Sequence, residues 1–166
     1  MPLKFGSETL SSVTCARARI TVEDREGKTA VGWGETPLSV QWVWPSKTPY
    51  SQRHDALVEF SKVVQKAWVE FGQFGHAMEI GHDFLEEVHN RQDKFNAQLV
   101  ERGIEAMPYL AGLVVASVFD QALHDAYGVL HEIDIYETYN EKFMSRDLSS
   151  FLTCLLYTSP SPRDRG

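Results

Sequence analysis

The chain has 166 residues, of which 43% are hydrophobic and 11% aromatic, and its formal net charge is −7. This length and composition are typical of one globular domain with a hydrophobic core, and the acidic balance disfavours nucleic acid as a partner, because phosphate backbones repel a negative surface. No apolar run approaches the ~20 residues that span a membrane, and Met1–Gly6 lacks the basic-then-apolar pattern of a signal peptide.

The first elements read as two strands joined by a turn. Leu10–Glu23 alternates small or β-branched residues with polar ones, which is the period of a strand with one buried face. A polar turn that closes with Gly27 follows, and Thr29–Glu35 returns as a second strand. Two strands alone are marginally stable, so we expect a helical layer or further strands to pack against them.

A long connection, Thr36–Tyr50, separates the strands from the helices. It contains three prolines and carries Trp42 and Trp44. Connections of this length in a compact domain tend to be binding loops or lids. The sequence therefore marks this loop as the best candidate for a functional surface.

Three helices are predicted after the loop. The first begins near Ser51, a suitable N-cap, and stops at Gly72. A more polar helix covers Glu79–Asn96, and the most apolar helix runs from Pro108 to Leu130. The apolar stripe of the first helix is Leu57, Phe60, Val64, Trp68 and Phe71, and that of the last is Leu110, Leu113, Val114, Val118 and Ala122.

The order of the elements favours an α+β fold. Strands come first and helices follow, which predicts an antiparallel hairpin or small meander covered by about three helices. Of the two cysteines, Cys154 lies in an atypical tail, and Cys15 alone is expected to be a buried structural thiol. A single thiol forms no intramolecular disulfide, which favours a cytoplasmic location.

Two Glu-x-x-His patterns raise the question of a metal site. They are Glu79 with His82 and Glu86 with His89, the spacing found in di-iron helical bundles. Those bundles place the two patterns on different helices, whereas here both fall on one predicted helix. A solvated helix face is therefore the favoured interpretation, and we predict no metal ligands in this chain.

The last residues read as a translated sequencing adapter. Cys154–Asp164 can be back-translated into the transposase adapter that is used to prepare sequencing libraries. We therefore expect residues 153–166 to be a non-native, disordered tail and residues 1–152 to be the native part. The alternative is an ordinary Ser- and Pro-rich terminus, a composition that buries no core.

Three segments resemble one family. The first is Arg19–Glu35, a hairpin that ends in Gly-Trp-Gly-Glu; the second is Ser117–Gly128, with the pattern Ser-x-x-Asp-x-Ala-Leu-x-Asp-x-x-Gly; the third is Ile135–Tyr139. In this order and spacing they resemble the N-terminal capping domain of the enolase superfamily, in its mandelate racemase/muconate lactonizing enzyme branch. The resemblance covers approximately residues 1–152.

The resemblance implies that this chain is part of a larger enzyme. Members of the family carry their chemistry in an eight-stranded β/α barrel that follows the capping domain. There, carboxylates bind Mg²⁺, which stabilises the enediolate formed when a proton alpha to a carboxylate is removed. The parent would be a racemase, epimerase, dehydratase or cycloisomerase with a small carboxylate substrate, and homo-oligomers are common in the family. This chain would contain no catalytic residue, would bind no Mg²⁺ itself and would be inactive alone.

The resemblance also gives the Thr36–Tyr50 loop a role. Loops of the capping domain close over the barrel and help to select the substrate, so Gln41, Trp42 and Trp44 are the candidate specificity residues. The tryptophans could equally pack between domains. An alternative function is a self-contained module that binds a small ligand or a protein through the Trp42 and Trp44 loop, without catalysis.

Overall fold

In the computed structural model, residues 12–151 are described in full, together with the backbone of two short strands near the N-terminus. The predicted tail, residues 153–166, lies outside the described residues. The architecture is α+β, as the sequence predicts. The elements are β1 (Leu3–Phe5), β2 (Glu8–Leu10), β3 (Cys15–Glu23), β4 (Thr29–Pro37), α1 (Val40–Val43), α2 (Tyr50–Glu70), α3 (Ala77–Glu101) and α4 (Tyr109–His131), followed by 3₁₀ turns at Ile135–Thr138 and Leu148–Ser150.

The strands form two antiparallel pairs, β1 with β2 and β3 with β4. In the second pair, Ala18 lies opposite Gly34 and Val22 opposite Ala30, so small side chains form the face turned towards the helices. The turn is closed as predicted: the carboxylate of Asp24 accepts hydrogen bonds from the backbone N–H groups of Glu26 and Lys28, both at 2.9 Å. Gly27 supplies the positive φ of 84° that this turn requires.

Helix α4 packs directly on the β3–β4 hairpin because two glycines remove side chains from the contact. A Cβ atom on Gly32 would lie 2.1 Å from the backbone N of Ala126, and one on Gly34 would lie 2.1 Å from the backbone O of Val118. The carboxylate of Asp125 accepts a hydrogen bond of 2.8 Å from the backbone N–H of Trp33. Glycine inside a strand often marks a close approach of another backbone, and that is its role at both positions here.

Helix α2 has the predicted apolar stripe but a different beginning. Leu57, Phe60 and Val64 are buried, and the helix is followed by Gly72 with a φ of 44°. The N-cap is Pro49 and makes no side-chain hydrogen bond, so the predicted cap at Ser51 is wrong. Proline fills this position because its φ is fixed near the helical value before the helix begins.

Helix α3 is longer than the predicted Glu79–Asn96 at both ends, and its start uses an uncommon cap. Nδ1 of His76 accepts a hydrogen bond of 3.1 Å from the N–H of Met78, and the carboxylate of Glu79 accepts one of 3.3 Å from the N–H of His76. This reciprocal pair is a capping box in which histidine takes the place of serine or threonine. None of the helices in the described part of the chain has the length and apolar character of a membrane span.

Helix α4 lies at the centre of the core. Its buried residues recur at helical spacing, and they include Val115, Val118 and Ala122. Leu110, predicted to be inside, is 45% exposed because it is displaced from this stripe by about 100° around the helix axis. Cys15 is exposed at the start of β3, so the predicted burial of its thiol is also wrong.

Candidate functional site

The structure separates the three residues of the predicted specificity loop. Trp42 is 54% exposed, whereas Trp44 has no exposed surface and belongs to the core. Gln41 is half-buried, and its side-chain oxygen has no hydrogen-bond partner among the described residues. Both Trp42 and Gln41 lie on the short helix α1, which the sequence did not predict. Of the two tryptophans, only Trp42 offers its ring at the surface.

A cleft of about 960 Å³ opens between α3, α4 and the segment formed by residues 139–151. We call it the α3–α4 cleft. Its volume lies in the range of small-molecule sites, about 300–1,000 Å³. Apolar side chains form much of its wall, namely Met78, Leu85, Met144, Leu148 and Phe151.

Glu79 holds segment 139–151 against α3. One oxygen of its carboxylate accepts three hydrogen bonds, from the N–H of Ser145 at 2.7 Å, its hydroxyl at 2.9 Å and the N–H of Arg146 at 2.7 Å. Burial opposes ionisation of this carboxyl group, but the hydrogen bonds outweigh burial and lower its pKa. Glu79 is therefore a buried, ionised anchor for the wall of the cleft.

Arg146 reinforces the same contact. Its guanidinium donates two hydrogen bonds to Asp83, at 2.8 and 3.0 Å, and one to the backbone O of Glu79 at 2.9 Å. The hydrogen bond from Arg146 is the main cause of the lowered pKa of Asp83. The bidentate geometry fixes the arginine more firmly than a single contact would. Its positive charge is thus neutralised at the edge of the cleft.

Asp120 and His124 form a polar pair on the cleft side of α4. Nδ1 of His124 donates to the backbone O of Asp120 at 2.9 Å and lies 3.6 Å from the Asp120 carboxylate. Because Nδ1 carries the proton in this arrangement, Nε2 of the neutral ring is an acceptor. Burial raises the pKa of Asp120, and the nearby His124 opposes that shift. Both residues are polar positions in an apolar helix, and no pattern in the sequence indicates the cleft that they face.

Gly81 makes space for the Asp120 carboxylate. A Cβ atom at this position of α3 would lie 2.3 Å from Oδ1 of Asp120. Glycine in a helix interior costs up to about 1 kcal/mol relative to alanine. The helices α3 and α4 can therefore cross closely here, with the carboxylate placed against the backbone of α3.

Behind the cleft lies a cluster of aromatic and imidazole rings around His76. Nε2 of His76 lies 2.8 Å from the hydroxyl of Thr138, which itself donates to the backbone O of Ile135. Nε2 therefore donates, and Nδ1, which accepts from Met78, is unprotonated. Burial is the main cause of the lowered pKa of His76. The ring is neutral and structural, with Tyr127 and Tyr139 packed edge-on against it.

The Glu-x-x-His patterns lie on one helix, α3, as expected. Glu79 is occupied by its backbone and hydroxyl donors, His82 lies 3.3 Å from Asp83, and His89 lies 3.6 Å from Asp93. Within residues 12–151 no group of three or more His, Cys, Asp or Glu residues could hold a metal ion. In this chain Glu79 of the first pattern caps α3, and His82 and His89 form pairs with neighbouring carboxylates.

The three segments that resemble the enolase superfamily come together around α4. The hairpin contacts α4 through Gly32 and Gly34, and the third segment contacts it at Gly128, where a Cβ atom would lie 3.6 Å from that of Ile135. Comparison with protein-family models, with curated proteins and with solved structures finds no match to the chain.

Proposed function

We propose that this chain is the N-terminal capping domain of an enolase-superfamily enzyme, in the mandelate racemase/muconate lactonizing enzyme branch. The observation that supports the proposal is the convergence of the three motif segments on α4. Gly32 and Gly34 occupy positions without room for a side chain, and Asp125 binds the backbone between them. The motif residues thus have a common physical purpose, which is to fix the hairpin on this helix.

The proposed parent removes a proton alpha to the carboxylate of a small substrate, as a racemase, epimerase, dehydratase or cycloisomerase. Mg²⁺ would stabilise the resulting enediolate in the barrel of the parent. Among the described residues of this chain, no group of three or more His, Cys, Asp or Glu side chains could hold a metal ion. Glu79 and Asp83 are already hydrogen-bonded to Ser145 and Arg146. The role proposed for this chain is therefore to cover the substrate.

Within that role, we assign substrate contact to Trp42 rather than to Trp44. Trp44 is buried in the core and would fix α1 in place, while Trp42 projects from the same short helix. The side-chain oxygen of Gln41, next to it, has no hydrogen-bond partner among the described residues, but it is buried and does not face a ligand at this surface. The exposed ring of Trp42 is therefore the part of the loop that suits the selection of an apolar substrate group. The cytoplasm is the proposed location, consistent with the exposed thiol of Cys15.

The first test is the coding sequence downstream of Leu152. We expect repeated strand–helix units with Lys-x-Lys and spaced carboxylates at strand ends. The protein with that extension should exchange the alpha proton of a carboxylate substrate in deuterium oxide when Mg²⁺ is present. A coding sequence that ends shortly after Leu152 would contradict the proposal.

The second test uses two tryptophans that are exposed to the same extent. Trp42 and Trp33 are each 54% exposed, but Trp33 lies on the hairpin. In the extended protein, Trp42→Ala should change the ratio of kcat/KM between two substrates by about tenfold, which is the effect of a single apolar contact. Trp33→Ala is the matched control and should leave that ratio unchanged. Equal effects of both variants would remove the assignment to Trp42.

A second function, a self-contained binding module without catalysis, is favoured by one observation, the exposed ring of Trp42. That module would bind a small ligand or a protein through the loop. The two proposals differ in what the 166-residue chain does alone. A module would bind its ligand without any further sequence, whereas the capping domain would show no turnover on any carboxylate until the barrel is supplied.

A further inference from the structure

The Asp120 carboxylate in the α3–α4 cleft lacks the partners that a half-buried anion needs. In the described part of the chain the only side chain paired with it is His124, whose Nδ1 lies 3.6 Å away, and no donor lies within hydrogen-bonding distance of its carboxylate. Its side chain is 48% exposed, on the side that faces the cleft. Glu79 and Asp83, by contrast, each accept at least two hydrogen bonds. Asp120 is therefore the carboxylate in this region that is available to a ligand.

The charges around the cleft favour a cation. Among the residues described, Arg146 is the only arginine or lysine that lines it, and its guanidinium is held by Asp83. Glu141 and Asp147 add further negative charge to the wall. A negative site with apolar walls concentrates positively charged molecules. An anionic ligand would meet the unneutralised carboxylate of Asp120 and would be repelled.

The aromatic content of the wall fits the same kind of ligand. Tyr139 lines the cleft with 39% of its surface exposed, and its pKa is raised by burial and by the charge of Asp120. A cation over the face of an aromatic ring gains about 0.5–1 kcal/mol at an exposed site. Phe151 is less available, because Arg146 lies over its ring with the guanidinium carbon 5.1 Å from the centroid.

We infer that the α3–α4 cleft binds an organic cation, an amine or quaternary ammonium group on an apolar body. The cation lies between the Asp120 carboxylate and the ring of Tyr139. The apolar body lies among Met78, Leu85 and Met144. This site is separate from the Trp42 loop and does not depend on the proposed function.

Binding is tested on the whole chain with three probes of one length: hexyltrimethylammonium, 1-hexanol and hexanoate. Each is titrated into isotopically labelled protein, and the amide signals of Gly81, Asp120 and Tyr139 are followed by NMR. We expect saturable shifts with hexyltrimethylammonium, at a dissociation constant at least tenfold below that of hexanoate. Equal binding of the three probes, or no binding of the cation, would overturn the proposal.

Charge removal at two sites separates a specific contact from the general acidity of the protein. Asp120→Asn should raise the dissociation constant of hexyltrimethylammonium about tenfold, since the variant keeps the shape of the side chain and loses its charge. Asp93→Asn removes an equal charge from the exposed face of α3 and should leave the affinity within twofold. An equal loss of affinity in both variants would mean that binding depends only on the net charge of the protein, which would contradict a specific site at Asp120.

A second variant keeps the test informative if Asp120→Asn alters the fold. Tyr139→Leu retains an apolar wall but removes the aromatic face, so it should reduce the preference for hexyltrimethylammonium over 1-hexanol by about threefold. Circular dichroism checks that each variant is folded. An unchanged preference in a folded Tyr139→Leu protein would overturn the assignment of the aromatic ring. None of these measurements requires Mg²⁺ or downstream sequence, so they fail or succeed independently of the enzyme proposal.

Discussion

The two faces of α4 differ in how they meet the rest of the chain. On one face, Gly32 and Gly34 let the hairpin contact the helix backbone, with no space left for even one methyl group. On the other face, Asp120 and His124 border an open cleft of about 960 Å³. The first face is fixed by packing, whereas the cleft beside the second is bordered by segment 139–151, which donates hydrogen bonds to Glu79 of α3. We call the side of α4 that contacts Gly32 and Gly34 the closed face, and the side that carries Asp120 and His124 the open face.

The closed face gives the largest expected effect. Gly34→Ala places a Cβ atom 2.1 Å from the backbone O of Val118 and 2.8 Å from the backbone N of Ala122, and backbone atoms cannot move aside as a side-chain end can. We expect the free energy of unfolding to fall by at least about 3 kcal/mol, the upper end for overpacking. Urea unfolding followed by tryptophan fluorescence measures the change.

Gly75→Ala is the matched control for Gly34→Ala. A Cβ atom there would make ordinary contacts, the nearest being an oxygen of Glu79 at 3.4 Å. This variant should change the free energy of unfolding by less than about 0.5 kcal/mol. If Gly34→Ala were equally mild, the hairpin would not be in direct contact with the backbone of α4.

The open face depends on Glu79, and its removal should have a smaller and more local effect. In Glu79→Gln one side-chain N–H₂ group replaces an oxygen that accepts up to three hydrogen bonds from Ser145 and Arg146. We expect the free energy of unfolding to fall by about 2 kcal/mol, since the donors of Ser145 and Arg146 lose the buried charge that accepts their hydrogen bonds. Hydrogen exchange should accelerate at these two amides before the hairpin is affected.

Glu86→Gln tests whether this loss comes from the position of the charge. Glu86 is an exposed residue of the same helix, and its replacement should leave the free energy of unfolding within about 0.5 kcal/mol of the original. Exchange at the amides of Ser145 and Arg146 should stay slow in that variant. Fast exchange there in both variants would mean that Glu79 is not the anchor of the cleft wall.

The closed face was largely predictable from the sequence. Alternation in β3 and a Gly-closed turn at Gly27 are local signals, and both were confirmed because they depend on residues near in sequence. The predicted stripe of α2 was confirmed for the same reason. The bounds of α3 were missed at both ends, since the helix begins after an uncommon cap, His76, and continues past Asn96 to Glu101.

The open face was not predictable, because it needs three distant segments to meet. Asp120, Gly81 and Tyr139 come from α4, α3 and segment 139–151, and no periodicity in the sequence relates them. The burial of Trp44 and the exposure of Cys15 were missed for a similar reason, because both depend on contacts between elements rather than on neighbouring residues. Whether Gln41, Trp42 and Trp44 contact a substrate stays a prediction.

The smallest expected effect is a dependence of stability on pH from His76. Burial lowers the pKa of His76 below the usual histidine value of 6.5, so the unfolded chain binds more protons than the folded chain just below that pH. The folded state therefore has its full stability from this group above pH 6.5 and loses stability as the pH falls below it. The slope for one proton is at most about 1.4 kcal/mol per pH unit. Urea unfolding at a series of pH values measures it.

His76→Asn isolates this contribution, because asparagine is a good N-cap but does not titrate. Between pH 6.5 and 5 the variant should lose less stability than the original chain. Glu79 acts in the same direction but below the usual glutamate value of 4.5, since its pKa is lowered. Asp120 acts in the opposite direction above the usual aspartate value of 3.8, since burial raises its pKa. Carrying the comparison in an Asp120→Asn background removes that opposing group. An unchanged slope in His76→Asn would mean that His76 is not the cause of the loss of stability.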